Sequence, residues 1–205
     1  MDALRKFHNS MKKELIIKWV KPNSYVLDCG CGRGGDFWKW KSVSARLVAV
    51  DPDESSLKEA EQRALTAEFG VWFIHGNILQ AVDVGPFDVV CYNFSIHYET
   101  KSIHAIKKAV KQGGYLIGIT PEKSLIENTK SPDAFGNTFE IAGDSLRMNV
   151  VDGPFYSDGP KDEPLLEKDA FMESLAPEFK CIVWKPISNS NTLSDIYAQF
   201  VFLRI

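Results

Sequence analysis

Tyr25-Val-Leu-Asp-Cys-Gly-Cys-Gly-Arg-Gly-Gly-Asp36 reads as a short apolar strand that breaks into a glycine turn and starts a helix. Gly30, Gly32 and Gly35 satisfy a G-x-G-x-x-G spacing, in which missing side chains permit a tight turn and let a ligand approach the backbone. Two carboxylates sharpen this signal. Asp28 stands two residues before the first glycine, at the strand end. Asp51 closes a second apolar run, Leu47-Val-Ala-Val50, about 20 residues beyond the loop, where an acidic side chain can take both hydroxyls of a ribose.

Outward from the loop, the chain alternates strands and helices. Phe7 to Val20 carries Met11, Leu15, Ile16 and Trp19 at helical spacing, and Lys21-Pro-Asn-Ser24 ends it. Asp36 is expected to cap a short helix whose Phe37, Trp38 and Trp40 pack in the core. Asp53 to Ser56 caps a helix over Leu57 to Glu68. Val71 to Ile74, Phe87 to Tyr92 and Tyr115 to Thr120 read as strands, with Ile103 to Val110 as a helix between the last two. Residues 131–163, rich in Gly, Pro, Asp and Asn, read as an excursion with a hairpin that forms a wall or lid. A helix at Lys168 to Leu175 precedes Cys181 to Trp184 and Ile196 to Leu203, which pair as a closing hairpin. The expected fold is α/β and Rossmann-like: one domain over residues 1–205, with a mostly parallel seven-stranded sheet, helices on both faces and a C-terminal antiparallel hairpin. Ligands then belong at the carboxyl ends of the strands.

Composition bounds the function. A chain of 205 residues with 44% hydrophobic content suits one well-buried domain. No apolar run approaches the ~20 residues that span a bilayer, and the Lys-containing start lacks an apolar signal segment, so a soluble, cytoplasmic protein is expected. Cys29, Cys31, Cys91 and Cys181 lack paired zinc spacing and are expected as reduced thiols, and no metal is expected. A net charge of -3 argues against coating long nucleic acid by charge alone, yet permits reading one nucleotide end. At the loop, Asp28 would repel a pyrophosphate, whereas S-adenosylmethionine (SAM) carries an ammonium and a sulfonium, which favours SAM over a dinucleotide.

These residues resemble the mRNA cap guanine-N7 methyltransferases, a branch of the SAM-dependent class I methyltransferases. The family pattern V-L-D-x-G-C-G-K-G-G-D-x-x-K-W corresponds to Val26-Leu-Asp-Cys-Gly-Cys-Gly-Arg-Gly-Gly-Asp-Phe-Trp-Lys-Trp40. Met11-Lys12, Gln62-Arg63, Asn93-Phe94 with His97-Tyr98, Thr120-Pro121, Phe135-Gly-Asn137 and Ile196-Tyr197 match further family positions in the same order. Within the family, the chain is similar to the compact methyltransferase domains of capping enzymes from large cytoplasmic DNA viruses, the African swine fever virus type. What that similarity implies, as an expectation, is one domain of a longer capping enzyme, acting in host cytoplasm or virion if viral, or in the nucleus if cellular.

The resemblance implies methyl transfer from SAM to N7 of the terminal guanosine of GpppN-capped mRNA. It places Lys12 on the methionine carboxylate, Gly30 and Asp36 on the rest of the methionine portion, and Asp51 on the ribose. Asn77 stands where relatives have Asp beside adenine, and Asn93 where they have Gln. Asp28 either touches SAM or orients the loop. Arg33 and Arg63 match positions facing the triphosphate, and Phe94, His97, Tyr98, Pro121 and Tyr197 match positions lining the guanine pocket. Three departures stand out. His8-Asn9 replaces paired asparagines, Leu146 and Met148 occupy aromatic positions of the lid hairpin, and the guanine-reading glutamate, which follows a proline in the family, is here Glu163 before Pro164, with Glu167 one turn on as the alternative.

Guanine N7 is a neutral lone pair with no proton to remove, so no general base is expected and no residue is assigned a catalytic proton transfer. Holding the reactants in line can supply about 7–11 kcal/mol. Competing expectations are a SAM methyltransferase for a small molecule, a non-catalytic SAM-fold subunit and an NAD dehydrogenase. The first needs neither the paired arginines nor His97-Tyr98, and Asp28 disfavours the last.

Overall fold

The computed structural model describes residues 2–151, 153, 156–188 and 191–205. Seven strands form the main sheet: β1 (Tyr25–Cys29), β2 (Arg46–Asp51), β3 (Val71–His75), β4 (Phe87–Asn93), β5 (Val110–Pro121), β9 (Phe179–Pro186) and β10 (Tyr197–Arg204). Their order is β3-β2-β1-β4-β5-β10-β9. The first five run parallel, and β10 runs antiparallel to both β5 and β9. The order reverses at β1, so the crevice between the ends of β1 and β4 is the switch point where ligands of such sheets bind.

Strand residues alternate between two apolar layers, as the period of two requires. Val26, Leu47, Ala49, Val89, Cys91 and Ile117 face one layer, which α1 (Asp2–Trp19), α2 (Phe37–Ser42) and α3 (Glu54–Thr66) cover. Leu27, Val48, Val50, Val90, Leu116 and Phe200 face the other, covered by α4 (Ile78–Ala81), α5 (Ile103–Ala109) and α7 (Lys168–Leu175). The four-residue α4 is an unexpected turn of helix, capped by Asn77 and closed by Gln80. Leu15 and Ile16 of α1 are fully buried, each contributing about 1.5–3 kcal/mol of transfer free energy. A charge at either position would undock the helix that carries Lys12. Helix α1 starts earlier than the sequence suggested because buried Leu4 and partly buried Phe7 extend its apolar stripe.

The excursion forms its own antiparallel sheet of β6 (Thr138–Ala142), β7 (Ser145–Asn149) and β8 (Lys161–Pro164), after a helix α6 (Lys123–Asn128). Residues 152, 154 and 155 of this stretch lie outside the described residues. The expected hairpin is β6–β7; β8 is an addition. Its sequence, Lys-Asp-Glu-Pro, has no strand propensity, and pairing of Leu146 with Glu163 and of Met148 with Lys161 imposes the conformation. The excursion is tied down by Asp133, whose Oδ1 accepts from the Phe135 and Asn137 amides at 2.8 and 2.9 Å. Its Oδ2 accepts from the Leu193 amide at 2.6 Å, so the wall is anchored to the turn that leads into β10.

One core expectation and one capping expectation are corrected. Trp38 is 63% exposed, with the Lys41 ammonium 5.5 Å from its ring centroid. The six-residue α2 buries one face only, and Phe37 and Trp40 occupy it. Asp36 holds the N-cap position of α2, but its side chain makes no capping bond because two lysines compete for it. Among the described residues, no helix is long and apolar enough to cross a membrane.

Candidate active site

The glycine turn is held open for a ligand from three sides. Gly30 has φ +71, and a Cβ there would come within 2.6 Å of the Ser95 Cβ. Any side chain would therefore strain the backbone and collide with the start of the β4–α5 connection. The Gly30 amide donates to the Val50 carbonyl at 2.8 Å. Asp51, 8% exposed at the end of β2, accepts from the Gly32 amide at 2.7 Å and the Asp53 amide at 2.9 Å. Each of its oxygens keeps a second lone pair.

Asp28 sits behind the turn. Its Oδ2 accepts from the Trp40 indole at 2.9 Å, and its side chain is 3% exposed and lines neither of the cavities described below. The bond ties the end of β1 to α2. Burial, and then the neighbouring Asp36 charge, push its carboxyl up to about 7, against the pull of Trp40 and Lys12.

Asp36 is the charged centre of the site. Lys12 Nζ from α1 and Lys39 Nζ from α2 reach its Oδ1 at 2.8 and 2.7 Å, and Asn93 Nδ2 donates to Oδ2 at 3.2 Å. Burial works against ionisation, but the two ammonium groups outweigh it and hold the carboxyl below the usual range. The Asn93 Oδ1 is buried without a partner among the described residues. An orphaned acceptor costs about 1–3 kcal/mol, so the Asn93 Oδ1 marks a place for a hydrogen-bond donor.

Two cavities share Tyr98 in their linings, and Lys12 lines one of them. The smaller, about 320 Å³, is lined by Gly30, Asp51, Asn77, Ile78, Ser95 and Tyr98 among others. Asn77 accepts from the Leu79 amide at 2.9 Å as the cap of α4. The larger, about 550 Å³, is lined by His8, Lys12, Arg63, Phe94, His97, Tyr98, Glu163 and Tyr197 among others. Tyr98, 49% exposed, belongs to both. Volumes of this size suit small-molecule ligands.

The larger cavity has an aromatic wall. Phe94 and Tyr197 meet edge to face with centroids 4.9 Å apart, and the His8 ring lies 4.9 Å from Phe94 and 5.6 Å from Tyr197. Phe94 leaves β4 at φ +66, a strained backbone for a bulky residue that turns the chain at the site. His8 Nε2 lies 3.0 Å from Ser194 Oγ, and burial together with the Lys12 charge lowers its pKa to about 4, leaving a neutral ring at physiological pH. Opposite, buried Glu163 has Oε2 3.1 Å from His97 Nε2, and its Oε1 accepts from Tyr156 at 2.5 Å. The His97 Nδ1 is buried and unpartnered among the described residues. The aliphatic departures are both buried, and Met148 enters the cavity with its Sδ 3.7 Å from the Tyr197 hydroxyl.

Lys12, Gly30, Asp51, Asn77, Arg63, Phe94, His97, Tyr98, Glu163 and Tyr197 line the two cavities; Asp28, Asp36 and Asn93 stand behind them, and three further expectations lie elsewhere. Arg33 is half exposed, lies 3.5 Å from Glu59 and lines neither cavity. Pro121 is buried in register with Tyr197 and supports it from the sheet without lining the cavity. Glu167 is exposed and pairs with Lys123, so Glu163 is the glutamate of the cavity. Sequence reasoning missed Arg5 and Tyr156, which both line the larger cavity. Arg5 lies one helical turn plus three residues before Lys12 on the same helix, a spacing that could have found it. Tyr156 sits in an irregular connection, where no periodicity points anywhere. Among the described residues, no group of three or more His, Cys, Asp or Glu could hold a metal ion.

The family model described as "mRNA (guanine-N(7))-methyltransferase domain" matches residues 1–144. The chain is 33% identical over 144 residues to the mRNA cap guanine-N(7) methyltransferase of Eremothecium gossypii, covering 60% of this chain and 34% of that protein. Against the Saccharomyces cerevisiae protein of the same name it is 32% identical over 144 residues, covering 60% and 33%. The chain thus spans about a third of the length of these curated relatives. Among solved structures, an S-adenosylmethionine-dependent methyltransferase from Clostridium acetobutylicum superposes with a TM-score of 0.65 at 16% identity, covering 97% of this chain and 91% of that one. The glycopeptide N-methyltransferase MtfA, complexed with sinefungin, gives 0.68 at 13% identity, covering 97% and 94%. These two likenesses speak for the class I methyltransferase fold.

Proposed function

Because the chain belongs to the mRNA (guanine-N(7))-methyltransferase domain family, we propose that it transfers the methyl group of SAM to N7 of the terminal guanosine of a GpppN-capped mRNA. The observation that carries the reading is the meeting, at Tyr98, of a ribose-competent cavity and an aromatic cavity, the latter also lined by Lys12, which binds Asp36 and through it reaches Asn93.

SAM fits the smaller cavity on the chemistry present. Asp51 offers two unspent lone pairs for ribose hydroxyls, and Asn77 stands beside Ile78 for the adenine. The orphaned Asn93 Oδ1 suits a donor of the methionine ammonium, and Lys12, held by Asp36, suits its carboxylate. The missing Cβ of Gly30 leaves room for the chain between them. When bound, SAM supplies a methyl group already activated by its sulfonium.

The remaining work falls to this chain's side chains. Phe94, His8 and Tyr197 would stack and wall the guanine, and Glu163, backed by His97, would accept from its N1–H and N2–H edge. Arg63 and Arg5, at the mouth of the same cavity, suit the triphosphate better than Arg33, whose guanidinium is already near Glu59. N7 needs no base, and geometry alone can supply about 7–11 kcal/mol. The same reading makes the chain one domain of a capping apparatus, with the viral type as the subgroup to compare. Methyl transfer from labelled SAM to GpppA-ended RNA tests it.

A further inference from the structure

The larger cavity contains a polar group assigned no role so far. Tyr156 lies in the connection between β7 and β8, where its amide donates to the Gly153 carbonyl at 2.9 Å and its carbonyl accepts from the Gly159 amide at 3.1 Å. Its ring packs on Gly153, where a Cβ would come within 3.1 Å of Cδ2. Its hydroxyl donates to Glu163 Oε1 at 2.5 Å, while His97 Nε2 stands 3.1 Å from Oε2. Glu163 is 5% exposed. A carboxylate offers about four lone-pair sites, two on each oxygen. Tyr156 takes one site on Oε1 and His97 stands against one on Oε2, while the half-exposed Tyr98 hydroxyl, which also bonds to this carboxylate, is the partner an incoming base would replace to reach one acceptor on each oxygen.

We propose that Tyr156 is a positioning residue for base selection: its hydroxyl fixes the Glu163 carboxylate so that the two remaining acceptors meet the N1–H and N2–H donors of guanine together. The inference rests on the cap reading of this cavity. Burial first, and then the Glu163 charge, raise the Tyr156 phenol well above its ordinary range, so it remains a donor. Tyr98 also feels the Glu163 charge and bonds to its carboxylate, but it is half exposed and joins the neighbouring cavity, so that bond is open to replacement by the base. A bond inside the wall, in contrast, closes the β7–β8 connection onto β8. A site whose buried acceptors are aimed at a donor pair rejects a base that lacks one of the donors. Inosine, which lacks the 2-amino group, is that base.

The test compares kcat/KM for GpppA-ended and IpppA-ended RNA across wild type, Tyr156→Phe, Glu163→Gln and the double variant, with SAM affinity by calorimetry. Tyr156→Phe is expected to lower the guanosine-over-inosine preference about tenfold, leave SAM affinity unchanged and add nothing in the Glu163→Gln background. An unchanged preference, full multiplication with Glu163→Gln, or loss of SAM binding in Tyr156→Phe would overturn the inference. So would a wild type that methylates both RNAs equally, although the proposed function would then stand. A wild type inactive on GpppA-ended RNA would remove the proposed function itself, and the inference with it.

Discussion

Replacing Asp51 by Asn separates its two duties. The wild-type carboxylate holds the Gly32 amide at 2.7 Å and the Asp53 amide at 2.9 Å, and faces the smaller cavity. Asparagine keeps one oxygen for one of those amides, turns an N–H₂ toward the other and removes the charge that ribose hydroxyls would meet. Bonds to a charged partner contribute about 1.5–3 kcal/mol each. Loss of one toward the ribose therefore raises the SAM Kd about 10- to 150-fold. The loop tether is lost as well, so calorimetry is run with S-adenosylhomocysteine and its 2′-deoxyribose analogue. In wild type the analogue should bind more weakly, and in Asp51→Asn the two should bind alike, since the acceptor that distinguished them has gone. An unchanged SAM Kd, or a deoxy penalty that survives the substitution, would refute the assignment of Asp51 to the ribose.

Arg63→Ala should raise the KM for capped RNA about tenfold and reduce the slope of log KM against log salt by about one, while Arg33→Ala should change either little; steady-state kinetics across a salt series checks this. Asp28 ionises in the folded protein at about 7, against an ordinary value of 3.8, so the folded state binds the extra proton. Its stabilising contribution is complete below about pH 4 and lost as pH rises through 7. Asp28→Asn, which retains an acceptor for Trp40, should therefore flatten the decline in denaturation midpoint from pH 4 to 8. Single-turnover methyl transfer should stay nearly flat between about pH 6 and 9, with His97→Asn slowed less than His97→Ala because an amide keeps a donor and an acceptor. A wild-type rate that rises severalfold across that range would show that a titrating group controls the step.

How legible the fold was depends on the range of the interactions involved. β1, the glycine turn and the alternation of Leu47 to Val50 or Phe87 to Tyr92 are local patterns, and the sheet follows from them. The strand ends then bring Gly30, Asp51, Asn77 and Asn93 to one edge, because a parallel sheet aligns its carboxyl ends. Features set by distant contacts were hidden. The charged β8 is a strand only because β7 pairs with it, and Trp38 is exposed because a six-residue helix has a single inward face. Asp36 has the residue type and position of a cap, yet lysines on two helices claim it. Pro121 and Arg33 match family positions, but one lies inside the sheet and the other near Glu59. Tyr156 could be assigned only once the β7–β8 connection brought it to Glu163.

The central claim is the site of methylation, and the most direct measurement is incubation of the protein with methyl-labelled SAM and RNA ending in GpppA, followed by nuclease release of the cap. The expected product is m7GpppA, with all label on the terminal guanine at N7. Label on a ribose 2′-oxygen or an internal base, or none in RNA while SAM still binds, would contradict it.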